Sequence, residues 1–240
     1  IPDQTVNAWI CPTYHPSTII REEDKSIEAL FVQHIASAIE LSGRPWKTVP
    51  DYSKSVKAIF NDDEAARAID DIVDANKPTA VDYETNALKP EYDGFKVLCC
   101  SLSIMGTSSA IAFPWLPRSR KSMLRFWRSD VPKIASNLKY EDRVTRVEYG
   151  KRPKNWYWDT MMAAHVLDCR PGITSIKFQV YVLLGVGVYN DHIAPFLQGS
   201  QGSKINLAET EIDLGQLLQY CGEDSLYEQL VAQKQIGKKF

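Results

Sequence analysis

Two carboxylates stand close together in a short apolar stretch of this sequence. Asp82 and Glu84 follow Thr79, Ala80 and Val81, and they occupy positions i and i+2 of a candidate strand. Side chains at this spacing on a strand point to the same face. Two like charges so placed repel each other unless a cation lies between them. The pair therefore predicts a divalent-metal site, and the alternative is an exposed strand edge that carries two solvated acids.

A second group that could do chemistry lies near the end of the chain. Tyr220 and Asp224 are spaced i, i+4 in a stretch with helical apolar spacing, so they share one helix face. A tyrosine hydroxyl both donates and accepts hydrogen bonds. Beside a metal-binding carboxylate it can hold a water molecule for attack. The alternative is a buried tyrosine next to a surface acid.

The third group spans residues 136–142, where a short strand passes through a polar turn into a helix. Asn137 suits the turn or the helix cap, which is the ordinary role of asparagine there. None of the three groups is specific alone, and their order along the chain carries the information.

Apolar spacing predicts the elements that must position these groups. The predicted strands are 79–84, 96–105, 109–114, 133–136 and 156–158. The predicted helices are 24–41, one capped by Asn61, 119–128, 140–149, 160–167, 174–184 and 212–236. Residues 9–20 are typical of a turn-rich strand region, 46–56 of a linker and 199–204 of a flexible loop. Early strands followed by alternating helices and strands predict an α/β fold with a mixed sheet.

A run of acids at Asp62, Asp63 and Glu64 has two interpretations. Asn61 immediately before them is a good helix N-cap, and acids favour the positive end of the helix dipole. We therefore expect a helix start here, with a metal site as the alternative.

The composition is that of an ordinary globular protein. Of the 240 residues 44% are apolar, enough for a large core. The net charge of −2 gives no sign of the basic face that nucleic-acid-binding proteins often carry. The cysteines are Cys11, Cys99, Cys100, Cys169 and Cys221. Their spacing fits neither a zinc site nor a disulfide framework, which indicates a reducing cytosol. We find no signal peptide or membrane span and expect no membrane partner.

Taken together, the three groups resemble the motifs of the 3′→5′ proofreading exonucleases of DNA polymerase I-type (family A) enzymes. Residues 81–85 (V-D-Y-E-T) match the D-x-E motif, 137–140 (N-L-K-Y) match N-x-x-(F/Y) and 220–224 (Y-C-G-E-D) match Y-x-x-x-D. Residues 158–167 resemble the helix that follows the second motif. The resemblance covers about residues 60–236 and points to the tyrosine subclass of the four-acid exonucleases.

One position departs from the family pattern. The family has aspartate directly after the aromatic residue of the second motif, where this chain has Glu141 followed by Asp142. Adjacent helix residues point about 100° apart, so only one of them can serve as the fourth acid. Register favours Glu141, and residue type favours Asp142.

The resemblance implies a ribonuclease H-like mixed β-sheet flanked by helices, and a two-metal mechanism with Mg²⁺ or Mn²⁺. Asp82 would bridge the two ions, while Glu84 and Asp224 would complete the first site. Glu141 or Asp142 would support the second ion, and Tyr220 with Glu84 would orient the attacking water. The substrate would be a single-stranded DNA 3′ end, and the product a nucleoside 5′-monophosphate.

The same resemblance implies substrate-binding positions. Leu88 would wedge between the last two bases, with a core leucine as the alternative. Thr85 and Asn137 would also face the substrate, Asn137 at a sugar or phosphate. Four basic residues could touch the DNA backbone or be solvated surface charges; these are Lys139, Arg143, Arg146 and Lys204. His165, in an apolar helix, is interpreted as a core histidine.

Residues 1–50 are predicted to form a small appendage to an exonuclease domain at 51–240. Residues 11–17 (C-P-T-Y-H-P-S) resemble the tail of a uracil-DNA glycosylase-like domain, and the alternative is a plain turn before a packing helix. The resemblances suggest a viral replication protein in the cytoplasm of a bacterial host, with a polymerase domain as a C-terminal partner. The alternative functions are an inactive DNA-binding or interaction module with the exonuclease fold, and a DNA glycosylase.

Overall fold

The computed structural model describes residues 2–3, 6, 8–44, 48–168, 172–194 and 212–237 of the 240-residue chain. The strands are β1 (Pro2–Asp3), β2 (Ala8–Trp9), β3 (Val56–Ala58), β4 (Thr79–Thr85), β5 (Val97–Ile104), β6 (Ala110–Pro114), β7 (Lys133–Ala135) and β8 (Trp156–Asp159). The α-helices are α1 (Pro16–Glu22), α2 (Lys25–Ser42), α3 (Asp62–Ala75), α4 (Pro117–Arg128), α5 (Lys139–Tyr149), α6 (Thr160–Leu167), α7 (Ile176–Leu184) and α8 (Leu214–Ile236).

The centre of the fold is a six-stranded sheet in the order β3-β6-β5-β4-β7-β8. Strand β4 pairs antiparallel with β5 and parallel with β7, and β5 continues antiparallel to β6. The outer pairs β3–β6 and β7–β8 are parallel. This mixed sheet, with helices packed on both faces, confirms the predicted α/β class.

The sheet separates two apolar cores. On one face the buried side chains include Ile69 of α3, Phe113 of β6 and Trp127 of α4. On the other face α8 packs Leu218 and Ala232 against the strands. Because successive strand residues point to opposite faces, the alternation along β4 decides which core each of its side chains enters.

Helix α8 lies unusually close to the sheet. A Cβ atom added at Gly222 would stand 2.3 Å from Cγ1 of Val56 on β3, so only glycine fits there. The Ser101 hydroxyl of β5 donates to the Cys221 carbonyl oxygen at 2.6 Å. These contacts bring the α8 side chains up against β4, where the first acidic motif lies.

The acids after Asn61 begin a helix, as expected. The Asn61 side chain accepts hydrogen bonds from the backbone N–H groups of Asp63 and Glu64, both at 3.0 Å. Asp62 accepts from the backbone N–H of Ser119 at 2.8 Å, at the start of α4. The carboxylates therefore order two helix starts, and the metal-site alternative is not needed.

Two segments differ from the sequence-based expectations. Residues 16–22 of the supposed turn-rich strand region form helix α1, because His15 caps it and Pro16 suits a first helical turn. Residues 52–55 of the supposed linker form a 3₁₀ turn that leads into β3, the edge strand beside β6. Both elements are short and lack a readable apolar period. The 199–204 loop lies outside the described residues.

The N-terminal helices are held by few polar contacts. The Trp9 indole N–H donates to the Arg44 carbonyl oxygen at 3.1 Å, and the rings of Tyr14 and His34 stack at 6.3 Å. The division into residues 1–50 and 51–240 stays a prediction. Among the described residues, no helix combines the length and apolar character that crossing a bilayer requires.

Candidate metal centre

Strand β4 carries Asp82 and Glu84 on the face that α8 covers. Their neighbours Val81 and Tyr83 enter the opposite core, where the Trp127 indole N–H donates to the Tyr83 hydroxyl at 2.7 Å. Packing on that side fixes the strand, and the acids project from it in the other direction. Asp82 is half-buried, and Glu84 is only 7% exposed. The solvated-edge alternative therefore does not hold.

Asp82 and Glu84 are close enough to bind one metal ion together. Carboxylate oxygens of Asp82 and Glu84 and the Cys221 thiol all lie within 4.8 Å of one another. The Cys221 Sγ atom is 3.7 Å from Oδ2 of Asp82. Cys221 was not predicted from the sequence as a neighbour of the site, although its position three residues before Asp224 puts both on one face of a helix.

A stripe of polar side chains on α8 faces these acids. Tyr220, Asp224 and Glu228 follow at intervals of four residues and are all buried. Asp224 accepts a hydrogen bond from the hydroxyl of Tyr189, which precedes α8 in the chain. The structure thus brings Tyr220 and Asp224 to Asp82 and Glu84, and it adds Tyr189 and Glu228, which the sequence analysis did not identify.

A lysine from α7 enters the same cluster. Lys177 Nζ donates to the Tyr220 hydroxyl at 3.0 Å and lies 5.3 Å and 5.7 Å from the ring centroids of Tyr220 and Tyr189. Its positive charge opposes the rise in the pKa of Asp224 and Asp82 that burial causes. A lysine within the apolar run of α7 was the signal that could have revealed it.

The two candidates for the fourth acid point in different directions. Glu141 is 3% exposed, and its Oε2 atom has no hydrogen-bond partner among the described residues. Asp142 instead forms an ion pair with Arg146, one turn further along α5. Burial raises the pKa of Glu141 well above its ordinary value, and the charge of Asp82 raises it further. The structure therefore buries Glu141 near Asp82 and pairs the half-buried Asp142 with Arg146.

The cluster holds more negative charge than its own hydrogen bonds balance. Burial raises the pKa of Asp82 and of Glu84 well above the ordinary carboxyl value, with further increases from Asp224 beside Asp82 and from Asp82 beside Glu84. Burial also raises the pKa of Asp224. Ionised carboxylates removed from water need a cation or a donor. The carboxylate oxygens of this cluster suit Mg²⁺ or Mn²⁺.

Thr85, Leu88 and Asn137, which the sequence predicts to bind substrate, have different surroundings. The Thr85 hydroxyl is buried, donates to the Ala87 carbonyl oxygen at 3.0 Å and bonds the Tyr140 hydroxyl. These bonds hold the turn that presents Leu88, which is 59% exposed, so the core alternative for Leu88 does not hold. Asn137 adopts φ 65°, a left-handed conformation that asparagine tolerates better than most residues.

Asp159 holds the backbone at the start of the second motif. Its carboxylate accepts from the backbone N–H groups of Asn137 at 3.0 Å and Leu138 at 3.1 Å. The same carboxylate caps α6 through the N–H groups of Met161 and Met162. One side chain at the β8–α6 junction thereby sets the turn from which α5, with Glu141, begins.

The basic residues near the site are engaged elsewhere or exposed. Arg143 pairs with Glu91, Arg146 pairs with Asp142, and Lys139 is exposed. Lys204 and Cys169 lie outside the described residues. His165 is exposed, so its interpretation as a core histidine is wrong, because the apolar run of α6 is too short to cover every face of the helix.

Comparison with solved structures identifies this architecture. No protein-family model matches the sequence, and no curated protein matches it either. Escherichia coli RNase D aligns over 75% of this chain and 44% of its own, with a TM-score of 0.55 at 17% identity. The Trypanosoma brucei RNase D–GMP complex aligns over 78% of this chain and 59% of its own, with a TM-score of 0.59 at 12% identity. Brucella melitensis NrnC aligns over 75% and 78%, with a TM-score of 0.52 at 16% identity. The chain has the ribonuclease H-like fold that these nucleases share.

Proposed function

We propose that this chain is a metal-dependent 3′→5′ exonuclease. The observation that carries the proposal is the pair of carboxylates Asp82 and Glu84 on β4, whose oxygens lie within 4.8 Å of each other. The charge of Asp224 from α8 acts on both of them, and Asp82 also acts on buried Glu141 from α5. Motifs far apart in sequence converge there on the fold shared by the RNase D and NrnC structures. Burying several acids together is costly, and cation binding is the simplest reason for a fold to retain such a cluster.

The cluster divides into positions for two ions. Asp82, Glu84 and Asp224 would hold the first, and Asp82 with Glu141 would support the second. Two divalent ions at such a site activate water and stabilise the leaving oxygen of a phosphodiester. The unpartnered Oε2 atom of Glu141 fits this assignment, because a buried carboxylate oxygen without a donor is costly.

In this proposal Tyr220 orients the attacking water. Its hydroxyl oxygen accepts a hydrogen bond from Lys177 Nζ at 3.0 Å, and the same hydroxyl also hydrogen-bonds the Asp224 carboxylate. Glu84 would accept a hydrogen bond from that water. Lys177 then has a second role, because its charge offsets the carboxylates and could approach a phosphate oxygen of the substrate.

The substrate we propose is a single-stranded DNA 3′ end, and the product is a nucleoside 5′-monophosphate. In this proposal exposed Leu88 wedges between terminal bases, and half-buried Asn137 in the turn before α5 contacts a sugar or phosphate. A GMP complex is recorded for the T. brucei RNase D, a nucleoside monophosphate of the proposed product class. The E. coli relative is described as an exoribonuclease, so DNA preference rests on the resemblance to polymerase proofreading domains. A proofreading role beside a polymerase domain follows from that resemblance.

Hydrolysis of labelled oligonucleotides tests the proposal. The purified protein with Mg²⁺ or Mn²⁺ is expected to release mononucleotides stepwise from the 3′ end of 5′-labelled single-stranded DNA, and a matched RNA strand reports the preference. Asp224→Asn is expected to lower the rate more than about 100-fold, because even outer partners of metal sites contribute 10–100-fold. Glu223→Gln, its neighbour on α8, serves as the control. Equal rates for wild type and Asp224→Asn would contradict the proposal.

A further inference from the structure

A fifth buried acid adjoins the metal-binding cluster. Glu228 lies one helical turn beyond Asp224 on α8, on the same face of the helix. It is 3% exposed, and none of the three sequence motifs includes it. Its Oε1 atom accepts the backbone N–H of Ser136 at 3.1 Å, at the end of β7. Its Oε2 atom has no hydrogen-bond partner among the described residues.

Glu228 and Glu141 share an unusual condition. Both are almost completely buried, and each has an Oε2 atom without a partner in the described part of the chain. An ionised carboxylate in such a place costs several kcal/mol in free energy unless something neutralises it. Burial raises the pKa of Glu228 well above its ordinary value, and the charges of Asp82, Glu141 and Asp224 add to that rise.

The position of Glu228 also connects two parts of the site. Ser136 directly precedes Asn137, whose N–H is held by Asp159. Glu228 therefore fixes the backbone at the end of β7 through one oxygen, and its other oxygen is buried without a hydrogen-bond partner among the described residues. Loss of this side chain would affect the turn that leads to Glu141 as well as the local charge.

We propose that Glu228 is an additional carboxylate of the second cation position, which it forms with Asp82 and Glu141. This inference rests on the proposed function and extends its ligand set. The charges of Asp82 and Glu141 both act on Glu228, so the three carboxylates from β4, α5 and α8 are neighbours. The second ion would then be held from β4, α5 and α8 together.

Manganese binding to Glu228→Gln tests the inference without relying on activity. Glutamine keeps an oxygen for the Ser136 N–H and removes the negative charge. Mn²⁺ titration followed by electron paramagnetic resonance is expected to show a second ion bound about 10- to 100-fold more weakly than in the wild type, with the first ion unchanged. The thermal midpoint without metal is expected not to fall, and the rise in midpoint on adding Mn²⁺ is expected to be smaller.

Glu223→Gln is the matched control, because Glu223 is equally buried on α8 but accepts from Gln219 at 2.8 Å. Unchanged binding of the second Mn²⁺ by Glu228→Gln, with a lower metal-free thermal midpoint, would overturn the inference. Glu228 would then have only a structural role, through its hydrogen bonds or a proton shared with a neighbouring acid. Failure of the wild type to bind Mn²⁺ at all would instead overturn the proposed function.

Discussion

The two longest helices among the described residues bury very different surfaces. Helix α2 has 18 residues, and none of its side chains is buried. Helix α8 has 23 residues and is buried over most of its length, including its polar side chains Asp224, Glu228 and Gln229. Apolar side chains such as Val32 and Ile39 are exposed on α2. Both helices show apolar residues at helical spacing, so spacing alone does not distinguish their roles.

The difference lies in what the burial of polar groups costs. Exposed apolar residues scattered on a helix need no special explanation. Buried carboxylates do, because each one raises the free energy of the folded state unless it is paired. Helix α8 holds its acids against β4, and the fold retains this arrangement despite the cost. We interpret α8 as the helix that supplies functional side chains, and α2 as a peripheral helix.

Removing one of the central acids should have the largest effect. Glu84→Gln is expected to lower the hydrolysis rate about 1000-fold, the upper end for one electrostatic group in an active site. It should also stabilise the metal-free protein by about 1 kcal/mol at neutral pH. Rates from single-turnover assays and thermal midpoints with a chelator measure the two effects. Loss of both activity and stability would contradict this assignment.

The stability gain should depend on pH. The pKa of Glu84 is raised in the folded state by burial and by Asp82, so the ionised form destabilises the fold. Stability contributed by the protonated group is present below the ordinary carboxyl pKa and is lost as pH rises through the raised pKa. The advantage of Glu84→Gln should therefore vanish in acid and grow toward neutral pH.

Truncation of an apolar side chain on each helix sharpens the comparison. Leu218→Ala on α8 is expected to cost about 3 kcal/mol in the free energy of unfolding, because Leu218 is fully buried. Ile39→Ala on α2 is expected to cost less than about 0.5 kcal/mol, because Ile39 is 68% exposed. Denaturant unfolding measures both. A similar cost at the two positions would show that α2 is part of the same core.

The two candidates for the fourth acid should differ in their effect on the rate. Glu141→Gln is expected to lower the rate about 30-fold, within the range for supporting partners of a metal site. Asp142→Asn removes only an ion pair with the partly exposed Arg146 and should change the rate less than about twofold. The reverse order of effects in steady-state assays would move the fourth acid to Asp142.

Much of the fold was predictable from the sequence, because apolar periodicity and caps such as Asn61 are local signals. The short elements α1 and β3 were not, since a short helix shows little period and an edge strand is defined by its distant partner β6. For the site, the spacing of Asp82 with Glu84 and of Tyr220 with Asp224 predicted which acids share a face. The structure adds their burial and their proximity.

The remaining site residues depend on tertiary packing. Lys177 and Tyr189 reach Tyr220 and Asp224 from segments far away in sequence, and no local pattern pairs them. The choice between Glu141 and Asp142 depends on how α5 rotates against the sheet. Burial and the Arg146 pair reveal that rotation, whereas residue type in the motif pointed the other way.

Anomalous diffraction from crystals soaked with Mn²⁺ and a short single-stranded oligonucleotide tests the central claim most directly. The account predicts one manganese peak among Asp82, Glu84 and Asp224, and a second on the Asp82 side facing Glu141. The oligonucleotide's terminal phosphate should lie at these peaks, with Tyr220 nearby. Absence of manganese from the carboxylate cluster, with the 3′ end bound elsewhere, would contradict the account.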